Sequence, residues 1–208
     1  MSDTPPIPVF DIGNVFVEWD PMLLFRKLFP SEEEAQWFHD AICNKDWNLE
    51  FDAGDSFDEG VARLITRFPK YWRQIQAFDE RWKETVGSFI DGTIEIHDEL
   101  IAADIPTFAI TNFSREKWIS CLGEWPFLEK FDGVIVSGLE RVVKPDPRIY
   151  RIFCERYALA PESCVFIDDS PVNVESARRF GMKAIHFTGD TKALRQELVG
   201  LGLPLRAK

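Results

Sequence analysis

The chain has 208 residues, 45% of them hydrophobic, and its 35 acidic and 24 basic residues give a formal net charge of -11. This length and composition suit one domain, or one domain with an insertion, and exclude a disordered chain. The negative charge argues against a nucleic acid or an anionic membrane as the main partner, so we expect a small ligand or a metal ion instead.

The cysteine spacing and the amino terminus bear on the compartment. The four cysteines form no Cys-x-x-Cys pair, which predicts buried, reduced thiols in a cytoplasmic protein. The first six residues lack a basic region followed by an apolar stretch, so no secretory signal is predicted. The sequence also contains no run of about 18 apolar residues. We expect a soluble, cytoplasmic protein that is a monomer or a small homo-oligomer.

The first predicted strand carries one acid at its carboxyl end. Val9 and Phe10 lead into Asp11, and the chain then continues with Gly13 and Asn14, residues that tolerate a sharp turn. Ligands of open parallel sheets bind at the carboxyl ends of the strands, where the outgoing loops leave a crevice. Asp11 is therefore placed where a binding site is expected.

The next part of the chain has the pattern of a helical bundle. Apolar residues recur at helical spacing behind start signals at Asp20, at Ser31 with Glu34, and at Ser56, which predicts successive helices. The polar and aromatic residues 44–55 are predicted as a loop between them. Few strand signals occur before about residue 87, so this part is predicted to be inserted after the first strand.

From Gly92 onward, short apolar strands alternate with helices. The strands are predicted at 105–110, 133–137, 164–167 and 183–187, and the helices at 94–103, 114–122, 146–157, 171–180 and 192–199. Such alternation predicts an α/β fold with a parallel sheet covered on both faces. The predicted domains are a core formed by residues 1–17 and 88–208 and a helical cap formed by residues 18–87.

Right-handed crossovers bring the ends of these strands to one edge of the sheet. The side chains expected there are Asp11, Thr111 with Asn112, Lys144, and Asp168 with Asp169. Singly, each has an ordinary explanation as a turn former, a helix cap or a solvated charge. Together they suit phosphoryl chemistry, which needs an attacking carboxylate, donors for phosphate oxygens, a compensating cation and hard oxygen ligands for magnesium.

The order of four motifs resembles that of the haloacid dehalogenase-like hydrolase superfamily. They are Asp11-x-Gly13-Asn14-Val15, Ile110-Thr111-Asn112, Val143-Lys144-Pro145-Asp146 and Phe166-Ile167-Asp168-Asp169-Ser170-Pro171-x-Asn173. The chain is most similar to the helical-cap branch whose first motif is Phe-Asp-x-Gly-Asn-Val, which includes sugar-phosphate phosphatases. The resemblance implies a Rossmann-like core with an inserted helical-bundle cap. It also implies a magnesium-dependent phosphatase that acts on a small phosphorylated metabolite through an aspartyl-phosphate intermediate.

The resemblance further implies a role for each motif residue. Asp11 would be the nucleophile, Thr111 and the backbone amide of Asn112 would bind the phosphoryl oxygens, and Lys144 would neutralise charge. The Mg²⁺ ligands would be Asp11, the backbone carbonyl of Gly13, Asp168 and Asp169. An alternative role for Asp169 is to hold Lys144.

Gly13 departs from the common pattern of this superfamily, in which a second aspartate at that position is a general acid. Loss of a general acid typically costs about a hundred- to ten-thousand-fold in rate. We hypothesise that the cap supplies an acid, with Asp52, Asp55 and His39 as candidates. The aromatic residues expected to line a substrate pocket between cap and core are Trp19, Trp47 and Phe51.

Two other functions are compatible with the sequence. A 2-haloacid dehalogenase would use Asp11 to attack carbon and needs no metal, but such enzymes usually have serine where this chain has paired acids at Asp168 and Asp169. A catalytically weak protein that binds a phosphorylated ligand is compatible with Gly13. The retained nucleophile, lysine and acids favour the phosphatase over both.

Overall fold

The computed structural model describes residues 5–206, so residues 1–4 and 207–208 at the two ends of the predicted core lie outside the described part. Its strands are β1 Ile7–Phe10, β2 Val17–Trp19, β3 Val86–Phe89, β4 Phe108–Thr111, β5 Gly133–Val136, β6 Cys164–Asp168 and β7 Lys183–His186. Five of them form a parallel sheet in the order β5-β4-β1-β6-β7, while β2 and β3 pair antiparallel in a separate sheet. Because β1 is the central strand, Asp11 lies in the middle of the edge formed by the carboxyl ends of the strands.

The helices fall into two groups. Between β2 and β3 lie α1 Met22–Phe25, α2 Glu32–Ala41, α3 Lys45–Asp52, α4 Phe57–Arg67 and α5 Trp72–Glu80. The others are α6 Asp91–Ala102, α7 Arg115–Cys121, α8 Ser137–Glu140, α9 Pro147–Tyr157, α10 Pro171–Phe180 and α11 Thr191–Gly200. The predicted fold class, a Rossmann-like parallel-sheet core with an inserted helical cap, is confirmed. None of the helices within residues 5–206 is long and apolar enough to cross a membrane.

Alternate residues of the central strands pack on opposite faces of the sheet, as the two-residue repeat of a strand requires. Val9 belongs to an apolar cluster on one face that includes Phe108 and Phe166. Phe10 belongs to the cluster on the other face, and that cluster continues into cap residues such as Phe38. Cap and core therefore share one apolar interior on this side of the sheet.

The stretch 44–55 was expected to be a loop, and this expectation is wrong for most of it. Asn44 caps a helix there by accepting a hydrogen bond from the Trp47 N–H at 2.9 Å, and α3 runs from Lys45 to Asp52. Trp47 and Phe51 are four residues apart and both are buried, so burial of this apolar stripe stabilises a helix that its polar residues obscured in the sequence.

Two further local expectations differ from the structure. The strand pair β2–β3 was not predicted. Val17 pairs with Phe89, and these residues lie on opposite sides of the cap in the sequence, so no local pattern predicts their contact. A helix does begin after Ser56, but the Ser56 side chain makes no capping hydrogen bond. The Phe57 N–H instead donates to Glu116 Oε1 at 3.3 Å, so a carboxylate from the core satisfies this helix terminus.

Candidate active site

Lys144 lies at the centre of the polar cluster. Its Nζ is 2.7 Å from Asp11 Oδ2 and 2.7 Å from Asp168 Oδ2, and it donates to the carbonyl of Ile110 at 2.9 Å. An ammonium group has three donors, and these three partners use them all. The partners come from the ends of β1, β6 and β4, which are neighbours in the sheet.

Burial and charge act against each other in this cluster. The side chain of Lys144 is 1% exposed, and burial alone would lower its pKa, but Asp11 and Asp168 outweigh burial and raise it. The ammonium therefore stays charged at neutral pH. For Asp11, burial raises the pKa well above its usual range, with Lys144 opposing the shift and Asp168 adding to it.

Three carboxylates are close enough together to share a metal ion. Asp11, Asp168 and Asp169 each offer one oxygen, and these atoms lie within 4.8 Å of one another. Hard oxygen donors in such a cluster suit Mg²⁺. Burial, followed by the charge of Asp168, raises the pKa of Asp169, while Asn14 and Lys144 oppose the shift, as expected for a partly buried acid beside another carboxylate.

The two acids of the pair have different partners. Asp168 Oδ1 accepts hydrogen bonds from the Ser170 N–H at 2.8 Å and from Asn173 Nδ2 at 3.0 Å, which orient it toward Lys144. Asp169 Oδ2 accepts from Asn14 Nδ2 at 3.3 Å. The structure thus pairs Lys144 with Asp168, and the alternative in which Asp169 holds Lys144 is wrong.

The end of β4 supplies a hydroxyl and an amide. Thr111 is buried, and its Oγ1 has no hydrogen-bond partner within the part of the chain that the structure describes. Buried polar groups are nearly always paired, so this hydroxyl is available to an oxygen of a bound ligand. The side chain of Asn112 accepts from the Lys144 N–H at 2.8 Å and donates to the Lys144 carbonyl at 3.0 Å. This clamp, which the sequence did not suggest, holds the backbone of Lys144.

A cavity of about 80 Å³ lies beside these residues, between cap and core. Its apolar lining residues are Val17, Trp19, Trp82, Val86, Phe113 and Trp125, and its other lining residues are Gly13, Asn48, Asp52, Asn112 and Ser114. The Nε1 of Trp19 is buried and, within residues 5–206, has no hydrogen-bond partner. The walls thus combine aromatic and aliphatic side chains with the polar side chains of Asn48, Asp52, Asn112 and Ser114.

Of the three acids proposed for the cap, the structure brings one to the cavity. Asp52 ends α3 and lines the cavity. Asp55 instead forms an exposed ion pair with Arg63 at 2.9 Å. His39 makes its Nδ1 contact with the Cys43 carbonyl at 3.1 Å, inside the cap. The hypotheses for Asp55 and His39 are therefore set aside.

Of the three aromatic residues expected at the pocket, only Trp19 lines it. Trp47 packs against Phe51 and Phe78, with ring centroids 4.8 and 5.3 Å away, in the interior of the cap. Phe51 stacks on Phe57 at 4.0 Å. The expectation that Trp47 contacts substrate finds no support in this position. Phe113 and Ser114 were missed, although they directly follow Thr111 and Asn112 in the sequence.

A parallel α/β core that gathers a carboxylate, a lysine and paired acids at its strand ends, beneath an inserted cap, defines a class of hydrolases. The sequence profile of the haloacid dehalogenase-like hydrolases matches residues 51–187, and the chain belongs to this family. The expected membership and the assignment as an enzyme are both confirmed.

Two named proteins are similar to this chain over most of its length. Sesquiterpene phosphatase astK of Aspergillus oryzae is 35% identical over 204 residues, which cover 95% of this chain and 97% of that protein. Flavin mononucleotide hydrolase 1 of Arabidopsis thaliana is 28% identical over 206 residues, which cover 95% and 78%. A match to mouse acyl-CoA dehydrogenase family member 10, 35% identical over 77 residues, covers 37% of this chain but only 7% of that much longer protein.

The fold also matches a solved structure. A haloacid dehalogenase family enzyme of Bacteroides thetaiotaomicron, in complex with magnesium and inorganic phosphate, superimposes with a TM-score of 0.68. The two sequences are 20% identical, and the match covers 90% of this chain and 96% of the other.

Proposed function

We propose that the protein is a magnesium-dependent phosphatase that hydrolyses the phosphomonoester of a small metabolite through an aspartyl-phosphate on Asp11. The observation that carries the proposal is the position of Lys144, which is buried and lies 2.7 Å from both Asp11 and Asp168. A fixed cation beside a carboxylate at the carboxyl edge of a parallel sheet suits attack on a dianionic phosphate, whose charge would otherwise repel the nucleophile.

Each neighbouring group has a task in this reaction. A carboxylate oxygen of Asp11 attacks phosphorus in line with the departing oxygen, and Lys144 offsets charge on the carboxylate and on the equatorial oxygens. The unpaired hydroxyl of Thr111 donates to a phosphoryl oxygen, with the backbone amide of Asn112 beside it. The Asn112 clamp keeps the Lys144 backbone in place while the phosphate enters.

The cluster of carboxylates supports a magnesium site. Asp11, Asp168, Asp169 and the backbone carbonyl of Gly13 would hold the ion, and three carboxylate oxygens within 4.8 Å of one another are a fitting donor set. When bound, Mg²⁺ supplies positive charge to the phosphate and lowers the repulsion between the acids. The Bacteroides thetaiotaomicron enzyme with this fold was solved with magnesium and inorganic phosphate.

The cavity supports an apolar leaving group. Six of its lining residues are apolar or aromatic, and its volume of about 80 Å³ is smaller than the roughly 150 Å³ that holds benzene in an engineered cavity. A sugar needs several polar partners, whereas an alkenyl or alkyl alcohol needs none. The similarity to a sesquiterpene phosphatase agrees with the phosphate of an apolar alcohol.

A phosphate-release assay with purified protein tests the proposal. We expect Mg²⁺-dependent release from the phosphates of apolar alcohols such as dimethylallyl, geranyl and farnesyl phosphate, and slower release from glucose 6-phosphate. Asp11→Asn should remove at least about a thousand-fold of the rate, because a neutral amide is a poor nucleophile toward phosphorus. Chloride release from 2-chloropropionate without Mg²⁺ is the control for the dehalogenase alternative.

Two results would contradict the proposal. One is undiminished phosphate release by Asp11→Asn, which would place the chemistry elsewhere. The other is halide release without phosphate release, which would assign the attack to carbon. A preference for glucose 6-phosphate would leave the phosphatase in place and overturn the apolar leaving group.

A further inference from the structure

We propose that Asp52, from the cap, is the proton donor and acceptor of this active site, in place of the carboxyl group that Gly13 lacks. This inference rests on the proposed phosphatase function and adds a catalytic residue to it. It is carried by the position of Asp52 in the cavity wall together with Gly13, Asn112 and Ser114. Asn112 directly follows Thr111, so a leaving group that extended from a phosphoryl group at Thr111 into this cavity would meet Asp52.

The Asp52 side chain is held by both cap and core. On its own helix, Asn48 Nδ2 donates to Asp52 Oδ2 at 3.0 Å. From the core, the backbone of Ser114 lies close enough to lower the pKa of the same carboxyl group. These two contacts hold the carboxyl group at the gap between cap and core, as a proton-transferring group requires.

The charges around Asp52 suit a carboxyl group that exchanges a proton. Burial raises its pKa to about 7, with Lys144 and the Ser114 N–H opposing the shift. The groups that face it are Asn48 from its own helix, Ser114 from the start of α7 and, as the charged group, Lys144 from the core. A carboxyl near half-protonation at neutral pH can both donate and accept a proton.

The two chemical steps then balance. In the first, an Asp11 oxygen bonds to phosphorus, the bond from phosphorus to the alcohol oxygen breaks, and the Asp52 proton moves to that oxygen. The products are the free alcohol, the aspartyl-phosphate and an ionised Asp52. In the second, Asp52 takes a proton from water as the water oxygen bonds to phosphorus, and the bond to Asp11 breaks. Inorganic phosphate leaves, and both aspartates return to their starting states.

A purely structural role for Asp52 is the rival explanation, because its contact with the Ser114 backbone also connects the cap to the core. Asp52→Asn separates the two roles. Asparagine has nearly the same shape and keeps an oxygen that can face the Ser114 backbone, but it has no acidic proton to donate. Urea unfolding of the variant then shows whether the join between cap and core survives.

The experiment compares two leaving groups in Asp52→Asn, with farnesyl phosphate and 4-nitrophenyl phosphate as probes. On farnesyl phosphate, whose alkoxide must be protonated, we expect turnover to fall about a hundred- to ten-thousand-fold. On 4-nitrophenyl phosphate, whose phenolate leaves without a proton, the first step should remain fast and the second should become slow. The expected trace is a burst of about one nitrophenolate per enzyme followed by slow turnover, a signature of accumulated covalent intermediate.

The pH profile gives a further readout. In the parent, kcat/KM on farnesyl phosphate should fall as the pH rises above about 7, because the ionised form of Asp52 cannot donate a proton. This falling limb should disappear in Asp52→Asn. If Asp52 had only a structural role, its replacement by asparagine would leave the falling limb of the pH profile in place.

The matched control is Asp55→Asn, the same substitution three residues away. Asp55 is half-exposed and pairs with Arg63, so we expect unchanged rates on both substrates. A rescue is also available, because a Cβ added at Gly13 meets no atom within 4 Å. Gly13→Asp in the Asp52→Asn background should restore at least about ten-fold of the lost rate on farnesyl phosphate. Absence of any rescue would count against the assignment.

The failure of this inference differs from the failure of the proposed function. If Asp11→Asn is inactive while Asp52→Asn matches the parent, or slows both substrates equally without a burst, the phosphatase stands and the role of Asp52 is wrong. If Asp11→Asn retains the parent rate, the phosphatase mechanism itself is wrong.

Discussion

Lys144→Met should destabilise the protein strongly, because Lys144 joins two buried carboxylates. The side chain is 1% exposed and lies 2.7 Å from Asp11 and from Asp168. Methionine fills a similar volume but leaves both acids without their cation and the Ile110 carbonyl without its donor. Breaking a buried ion pair by removing one partner costs about 3–5 kcal/mol of unfolding free energy.

The cost should depend on pH in a defined direction. Burial raises the pKa of Asp11, Lys144 opposes this shift and Asp168 adds to it, so the variant should have a still higher Asp11 pKa in the folded state. A carboxyl group whose folded pKa exceeds its unfolded pKa lowers stability at high pH. This penalty shrinks as the pH falls below the folded pKa and is absent below the unfolded pKa. The deficit of Lys144→Met should therefore be largest near pH 8 and shrink toward pH 5.

Urea unfolding of parent and variant at pH 8 and pH 5, without added metal, measures this deficit. Lys130→Met is the control, because Lys130 pairs with Asp98 on the surface, where both side chains are more than 40% exposed and such a pair is worth about 0–1 kcal/mol. The reasoning would be refuted if Lys144→Met lost less than about 1 kcal/mol at pH 8, or if its deficit grew on acidification.

Two further substitutions address ligand binding. Thr111→Val removes a buried hydroxyl that lacks a partner in the described structure, so urea unfolding should show equal or slightly higher stability. The kcat/KM for phosphate release should fall about ten- to a hundred-fold, because a hydrogen bond to a charged oxygen is lost. A stability loss above about 2 kcal/mol would contradict this expectation. Trp19→Ala removes part of the cavity wall and should lower kcat/KM about ten-fold for farnesyl phosphate but little for 4-nitrophenyl phosphate. The control is Trp72→Ala, at an exposed tryptophan, which should leave both values unchanged. Equal losses on both substrates would show that the cavity wall does not select the leaving group.

Much of the core was predictable because its signals are local. Ser31 caps α2 by accepting from the Glu34 N–H, as the start signal at Ser31 indicates. Asp146, the first residue of the predicted helix 146–157, caps α9 through a hydrogen bond from the Arg148 N–H at 2.9 Å. The convergence of Asp11, Lys144 and Asp168 also followed from the sequence, since parallel strands with right-handed crossovers place their carboxyl ends at one edge.

The cavity lining was less predictable because it depends on contacts between distant segments. Val17 and Val86 come together through the β2–β3 pair, and Trp125 reaches the cavity from the chain after α7. Trp19 lines the cavity, whereas Trp47, also a tryptophan, packs in the interior of the cap. An aromatic residue is equally suited to a core and to a pocket wall, so its type alone does not distinguish them.

The sequence by itself determined the order of the elements, the α/β class and the residues delivered to the sheet edge, because hydrophobic periodicity and strand-end chemistry are read along the chain. Only the tertiary structure decided which partner Lys144 takes, Asp168 rather than Asp169, and which cap acid reaches the cavity. Both depend on distances between side chains far apart in sequence. Asp52, Asp55 and His39 are all ionisable residues of the predicted cap, so the sequence did not distinguish them. In the structure α3 ends at Asp52, and this carboxyl group lies beside Ser114 and the cavity.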